Sequence, residues 1–167
     1  MTIPRRTARL EIRAYTLADL DDVARIFADP QLALGGDAPL SREQSRAWLE
    51  EEIAFAERDG TGRYAAVLRQ TGEVAGGVGL VRRELDEGVE IELGYHLRRD
   101  LWGRGLATEA ALACVAEARE RGLPRLILFI EPGNARSAAV ARRAGFAPVR
   151  RVEWFGCPHD RWELALA

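Results

Sequence analysis

The spacing of apolar residues along the chain switches repeatedly between the period of a strand and that of a helix. Residues 9–15 alternate apolar and polar positions, which predicts a strand. Residues 17–27 and 41–56 carry apolar positions at helical spacing. Capping boxes that begin at Thr16 and Ser41 precede these two segments, so we predict two helices.

Alternating and apolar segments of strand length follow in the middle of the chain. Strands are predicted at 64–68, 74–81 and 89–97, with turns at 70–73 and 84–88. Glycines in the second of these strands indicate a bulge or a close approach by another backbone.

The second half of the chain alternates helices and strands. It contains an Ala-rich helix at 106–121 that ends at Gly122, an apolar strand at 125–130, a short helix at 137–144, and an antiparallel pair of strands at 149–154 and 161–166. The order β-α-α-β-β-β-α-β-α-β-β predicts a single α/β domain with a mixed sheet covered by helices. A parallel crossover is expected from strand 89–97 to strand 125–130.

Composition narrows the function classes. The formal net charge of −2 disfavours a nucleic-acid-binding protein, and the sequence contains no lysine. Schiff-base enzymes, Walker-type nucleotide hydrolases and protein kinases all need a lysine, so these three classes are disfavoured. Cys114 and Cys157 provide no disulfide framework, and neither a signal peptide nor a membrane-spanning run is visible. We therefore expect a cytoplasmic protein without a membrane or nucleic-acid partner.

The segment 101–108 joins a predicted strand to a predicted helix and carries Gly103, Arg104 and Gly105. Two glycines permit a tight turn and close approach to a ligand, and amides at a helix start attract an anion. These features fit a pyrophosphate-binding loop. An ordinary tight connection fits the same short motif, so the loop alone does not decide.

Three motifs together are more specific. Trp102-Gly103-Arg104-Gly105-Leu106-Ala107 resembles the acetyl-CoA loop of the GNAT N-acetyltransferase superfamily. Residues 91–95 and 107–110, and residues 134–137 followed by 144–146, resemble the RimJ/RimL-type branch of that superfamily. The resemblance implies an N-acetyltransferase that uses acetyl-CoA as co-substrate and acts on a primary amine without a metal.

The resemblance also implies a site. Coenzyme A would lie in a cleft where strands 89–97 and 125–130 splay apart, pairing with the backbone of His96 and Leu97 as an added strand does. The loop amides would hold the pyrophosphate, and Asn134 and Ser137 would contact the pantetheine arm. The residues implied in coenzyme binding are Tyr95, His96, Leu97, Trp102, Gly103, Arg104, Gly105, Leu106, Ala107, Thr108, Asn134, Ser137 and Arg143.

Glu92 is the candidate general base. Along an extended strand it shares a face with Glu90, and the resemblance places Glu92 nearer the thioester. A carboxylate there can remove the proton that makes an amine unreactive at neutral pH. A salt-bridged strand residue is the alternative interpretation.

Several questions stay open at this stage. Ala141 stands where many GNAT enzymes have a tyrosine that protonates the leaving thiolate, so a non-catalytic acyl-CoA-binding module or an interaction protein are alternatives.

The acceptor is either a protein N-terminus or a small amine, with its contacts expected in loops 28–42 and 154–160. Trp48, Trp154 and Trp162 fit either the core or the acceptor pocket. Residues 157–160 are predicted to form a polar turn, and a homodimer is implied by the resemblance only.

Overall fold

The structure is a computed structural model that describes residues 5–32, 39–59 and 61–166. Within those ranges eight strands form one sheet with four α-helices against it, and short 3-10 turns lie at Leu17–Asp19 and Arg99–Leu101. The strands are β1 (Arg5–Arg6), β2 (Leu10–Arg13), β3 (Gly62–Leu68), β4 (Val74–Leu85), β5 (Gly88–Leu97), β6 (Arg125–Ile130), β7 (Ala147–Trp154) and β8 (Cys157–Ala165). The helices are α1 (Leu20–Phe27), α2 (Arg42–Asp59), α3 (Leu106–Glu120) and α4 (Ala135–Arg143).

The strands lie in the order β1-β2-β3-β4-β5-β6-β8-β7. Neighbouring strands are antiparallel except β5 and β6, which are parallel and are joined through α3. The predicted α/β class, mixed sheet and parallel crossover are therefore confirmed.

Each face of the sheet has its own apolar core. On one face, side chains such as Leu80, Leu93 and Leu126 pack against the α3 and α4 side of the molecule. On the other face, residues of α1 and α2 such as Phe27 and Leu49 pack against β3 and β4. None of the described helices combines the length and apolarity needed to cross a membrane.

Cys114 lies on α3 in the first of these cores and is fully buried. Burial raises the pKa of its thiol to about 12. The thiol therefore stays protonated and unreactive.

The predicted polar turn at 157–160 is wrong. Those residues belong to β8, which pairs with β7 from Cys157 onward. The chain reverses instead at Phe155 and Gly156, whose φ angles are 49° and 71°. Two consecutive positive φ angles are typical of the tight hairpin turns that suit the twist of a sheet. The turn was missed because a phenylalanine rarely occupies such a position.

Other elements and boundaries also differ from the predictions. Strand β1 was not predicted, β4 continues through Leu85, and α4 begins at Ala135 rather than Ser137. The close backbone approach predicted for β4 is confirmed, since a Cβ atom on Gly76 would collide with the carbonyl oxygen of His96. The capping boxes at Thr16 and Ser41 are both present.

Candidate active site

A gap opens in the sheet between β5 and β6. The register of these parallel strands contains a single residue pair, Glu92 with Ile127. Beyond Glu92, residues 93–97 of β5 have no described pairing with β6, so the strands splay. On the α3 and α4 side the opening leads into a cleft of about 620 Å³.

The glycine loop forms one wall of this cleft. Gly103 and Gly105 have φ angles of 75° and 77°, which side-chain-bearing residues rarely adopt. Within the described part of the chain, no acceptor is found for the N–H groups of residues 103–108, whereas the N–H of Trp102 donates to the carbonyl of Arg99. Because unpaired N–H groups at a helix start attract anions, the loop retains its binding capacity for a ligand.

Contacts outside the loop fix its position. The indole Nε1 of Trp102 donates to the carbonyl oxygen of Leu97 at 2.7 Å, which ties the loop to the end of β5. Arg9 donates from Nη1 to the carbonyl oxygen of Arg104 at 2.8 Å. Glu109 in turn accepts hydrogen bonds from the Nε of Arg9 and the hydroxyl of Thr7. No periodic pattern or motif in the sequence indicates this role of Arg9.

The start of α4 forms the opposite wall. Asn134 caps this helix by accepting a hydrogen bond from the N–H of Ser137 at 3.1 Å, so its amide N–H₂ group remains available to a ligand. The Tyr95 hydroxyl lies 2.9 Å from the Ser137 hydroxyl and 3.0 Å from the Ser137 carbonyl oxygen. Burial raises the pKa of Tyr95, against the opposing effect of its hydrogen bond with Ser137. The phenol therefore remains a proton donor at neutral pH.

Arginines mark the mouth of the cleft. Arg136 stacks over the ring of Trp102 with its Cζ atom 4.2 Å from the ring centroid. Arg143 also lines the cleft and lies about two helical turns further along α4. No described carboxylate pairs with either side chain, whereas most other arginines of the described chain form ion pairs. Two uncompensated positive charges beside unpaired N–H groups favour a polyanionic ligand.

The other face of the gap presents charged side chains. Glu92 is only 8% exposed and accepts a hydrogen bond from the Nε of Arg83 at 2.5 Å. Trp154, which packs on Phe129, lies under the Arg83 guanidinium. The Glu92 carboxylate is thus salt-bridged and also lies where the strands separate.

The aromatic residues are divided between core and site. Trp162 is buried in the core on the α3 side. Trp48 packs on the other face, with ring centroids 5.7 Å from His96 and 4.6 Å from Phe27. Burial lowers the pKa of His96 to about 3, with a further contribution from the charge of Arg63. The His96 imidazole is therefore neutral, and it faces away from the cleft that its backbone lines.

The structure brings most of the predicted coenzyme-binding residues together in the cleft. Glu92 lies at the gap but not in the cleft lining, and Arg104 is exposed outside it. Gln31 and Leu32 also line the cleft, although the sequence placed them in a loop expected to contact the acceptor; residues 33–38 of that loop lie outside the described residues. The cleft-lining residues that were predicted are Tyr95, His96, Leu97, Trp102, Gly103, Gly105, Leu106, Ala107, Thr108, Asn134, Ser137 and Arg143.

Comparison with known proteins agrees with this geometry. Residues 9–147 match the family model described as acetyltransferase (GNAT) domain. The chain belongs to the GNAT acetyltransferase family. It transfers an acetyl group from acetyl-CoA to an amine, which confirms the predicted enzyme class and co-substrate.

Individual relatives cover nearly the whole chain. The L-methionine sulfoximine/L-methionine sulfone acetyltransferase of Pseudomonas aeruginosa is 29% identical over 90% of this chain and 88% of its own. An acetyltransferase from Agrobacterium tumefaciens with a known crystal structure is 30% identical in sequence. The two structures superpose with a TM-score of 0.80 over 98% of this chain and 95% of the Agrobacterium chain. RimL, a ribosomal L7/L12 α-N-protein acetyltransferase solved with coenzyme A, is 18% identical and shares the fold, with a TM-score of 0.80 over 98% and 97% of the two chains.

Proposed function

We propose that the chain acetylates the α-amine of its acceptor by direct attack, with acetyl-CoA in the α3–α4 cleft and Glu92 as the base. The observation that carries this proposal is the set of unpaired N–H groups at 103–108 beside the only described break in sheet pairing between β5 and β6. These N–H groups, together with Arg136 and Arg143, fit the diphosphate of the coenzyme.

Acetyl-CoA, when bound, supplies a thioester from which an amine can take the acetyl group. Residues 93–97 of β5 offer a free strand edge to the pantetheine arm. The carbonyl of Leu97 is already engaged by Trp102, which leaves the rest of this edge as the support for the arm. The arm is thereby directed toward Glu92, where β5 and β6 meet.

On the other face of the gap, Glu92 would take the amine proton directly or through water. Its ion pair with Arg83 holds the carboxylate in one orientation. The paired hydroxyls of Tyr95 and Ser137 lie on the cleft side, where they can donate a proton to the departing thiolate. These hydroxyls would replace the tyrosine that many GNAT enzymes have at the position of Ala141. Ala141 itself is fully buried and has no group that could donate a proton.

Two acceptor classes fit an α-amine. A small amino acid is supported by the relative named for L-methionine sulfoximine and L-methionine sulfone. A protein N-terminus would follow the RimL likeness, which at this identity extends to the fold. We favour the small acceptor. A homodimer stays a prediction from the resemblance.

Two measurements on the purified chain test the proposal. Acetyl-CoA at about 100 times its dissociation constant should add roughly 2.7 kcal/mol to the free energy of unfolding. Thiol release should then follow addition of an amine from a panel of amino acids, polyamines and peptides. Stabilisation by acetyl-CoA without thiol release from any amine would instead support the non-catalytic binding module. If acetyl-CoA neither stabilised the protein nor released its thiol with any amine, the proposal that the cleft binds the coenzyme would be wrong.

A further inference from the structure

The arginine at the start of β3 reaches the same face of the gap as Glu92. Arg63 pairs across the sheet with Gly79 of β4, and Gly79 pairs with Gly94 of β5. A Cβ atom on Gly94 would lie 3.2 Å from the Nε of Arg63 and 3.5 Å from its Nη2. The guanidinium therefore lies across two strands, over Gly94. Glycine at position 94 leaves room for it.

The anchoring of this side chain leaves one edge free. The Arg63 Nη1 donates to Oε1 of Glu52 at 3.0 Å, and the Arg63 backbone N–H donates to Oε2 at 2.8 Å. Within the described part of the chain neither Nε nor Nη2 has an acceptor. The Nε–Nη2 edge can bind a carboxylate with two parallel hydrogen bonds. The Arg63 side chain is 22% exposed, so it is not sealed inside the core.

The free edge lies beside a residue of β5 that is close to Glu92 along the strand. Gly94 is two residues beyond Glu92 on the same face, which corresponds to roughly 7 Å along a strand. An α-amino acid holds its amine and carboxylate on one carbon, so hydrogen bonds of about 3 Å at each end would bridge groups roughly 7 to 9 Å apart. The spacing of positions 92 and 94 along β5 is therefore of the size that a zwitterionic amino acid spans.

Other groups on this face are already committed. Arg83 donates its Nε to Glu92 and lies over Trp154. The neutral His96 imidazole is buried among aromatic rings. The Nε of Arg83 is thus bound to Glu92, whereas Arg63 presents its Nε–Nη2 edge beside Gly94.

Resting on the proposed acetyl transfer, we propose that Arg63 binds the α-carboxylate of the acceptor, so that the substrate is a free α-amino acid. A peptide N-terminus has an uncharged amide at the corresponding place and would leave the guanidinium edge unpaired. A site built around a charged group rejects ligands that lack the complementary charge. Arg63 thus selects free amino acids over protein N-termini.

The test compares acids with their amides. Thiol release is measured with L-methionine sulfone, L-methionine and L-leucine, each against its carboxamide, and with a short peptide. In the wild type we expect kcat/KM to be about 10- to 100-fold higher for each acid that is used than for its amide, the range expected for a charged hydrogen-bonded pair. Arg63→Gln should abolish that ratio by lowering the rate with the acid and leaving the rate with the amide nearly unchanged. Arg63→Lys should retain part of the ratio.

Arg13→Gln is the matched control. Arg13 lies on β2, also pairs with a buried carboxylate, Asp19, at 2.7 Å, and lies away from the gap. The Arg13→Gln variant should leave the ratio of kcat/KM for acid and amide unchanged. If Arg63→Gln lowered kcat/KM equally for the acid and the amide, Arg63 would have only a structural role through Glu52, and the inference would be overturned. Wild-type activity on amides or the peptide equal to that on acids would also overturn it, while leaving acetyl transfer intact. Thiol release with none of the compounds would overturn the proposed function as well.

Discussion

The two sides of the gap between β5 and β6 are built from different parts of the chain. On the α3–α4 side, the groups available to a ligand are mainly backbone N–H groups at 103–108 and the edge of β5. On the opposite side they are charged side chains held by ion pairs, Glu92 with Arg83 and Arg63 with Glu52. The proposed coenzyme side is therefore fixed by the path of the chain, whereas single substitutions can change the proposed acceptor side.

The largest effect should come from the acceptor side. Glu92→Gln keeps the shape of the side chain but removes the proposed base, so we expect kcat to fall about 100-fold or more, within the range typical of general-base catalysis. The dissociation constant of acetyl-CoA should stay within about twofold because Glu92 lies outside the cleft lining. Single-turnover rates and calorimetric titration separate the two quantities. Rates that match the wild type across the pH range would show that Glu92 is only a salt-bridged strand residue.

The same contrast explains what the sequence could and could not predict. The coenzyme side depends on Gly103 and Gly105 at fixed spacing, and such backbone requirements leave a readable motif. Arg9 supports the same loop from about 95 positions away in the chain. It leaves no motif, since its contact exists only after β2 and α3 pack together.

The acceptor side was less predictable for the same reason. Glu92 was recognised through the family resemblance and the two-residue period of its strand. Arg63 was not recognised, because its reach across Gly79 and Gly94 depends on the register of three strands. The hairpin at Phe155 shows the complementary failure, in which tertiary pairing imposes a turn that the local sequence disfavours.

The second largest effect tests the coenzyme side. Gly103→Ala places a side chain at a φ of 75°, which costs about 1–2 kcal/mol and should raise the dissociation constant of acetyl-CoA about tenfold by displacing the loop N–H groups. Gly72→Ala is the control, since Gly72 has a φ of 78° in a turn outside the cleft and, like Gly103, has open space around it. Both variants should lose similar thermal stability, and only Gly103→Ala should lose affinity. Equal affinity losses would contradict the role of the loop.

A smaller effect is expected at the mouth of the cleft. Arg136→Gln removes a charge and its stacking on Trp102, so the dissociation constant of acetyl-CoA should rise about fivefold at low salt and less at high salt, where charges are screened. Arg142→Gln is matched to it, because Arg142 lies on the same helix and over Trp162 at 5.1 Å but does not line the cleft. Affinities measured at two salt concentrations decide the matter. The same response in both variants would mean that neither arginine contacts the coenzyme.

The smallest effect concerns the support behind the loop. Burial alone would raise the pKa of Glu109, but hydrogen bonds from Thr7 and Arg9 hold it below its ordinary value of 4.5. Because the folded pKa is the lower one, the stability that Glu109 contributes is present above pH 4.5 and is lost as the pH falls through the folded pKa. Glu109→Gln should therefore lower the free energy of unfolding by about 1–2 kcal/mol at neutral pH, with a smaller difference in acid. Because Arg9 would then hold Arg104 less firmly, acetyl-CoA affinity should fall about twofold.

Urea unfolding at pH 7 and pH 4 measures the first effect, and titration of acetyl-CoA measures the second. Glu50→Gln serves as the control, because Glu50 forms an exposed ion pair with Arg46 on α2 that should contribute less than about 0.5 kcal/mol. If Glu109→Gln destabilised the protein equally at both pH values, the carboxylate charge would not be what Thr7 and Arg9 stabilise. If it left coenzyme affinity at the wild-type value, the loop would be held by Trp102 and Leu97 alone. The proposed coenzyme side would then not depend on the N-terminal strands. It would be built by the local chain alone, in contrast to the proposed acceptor side, which depends on side chains from several strands.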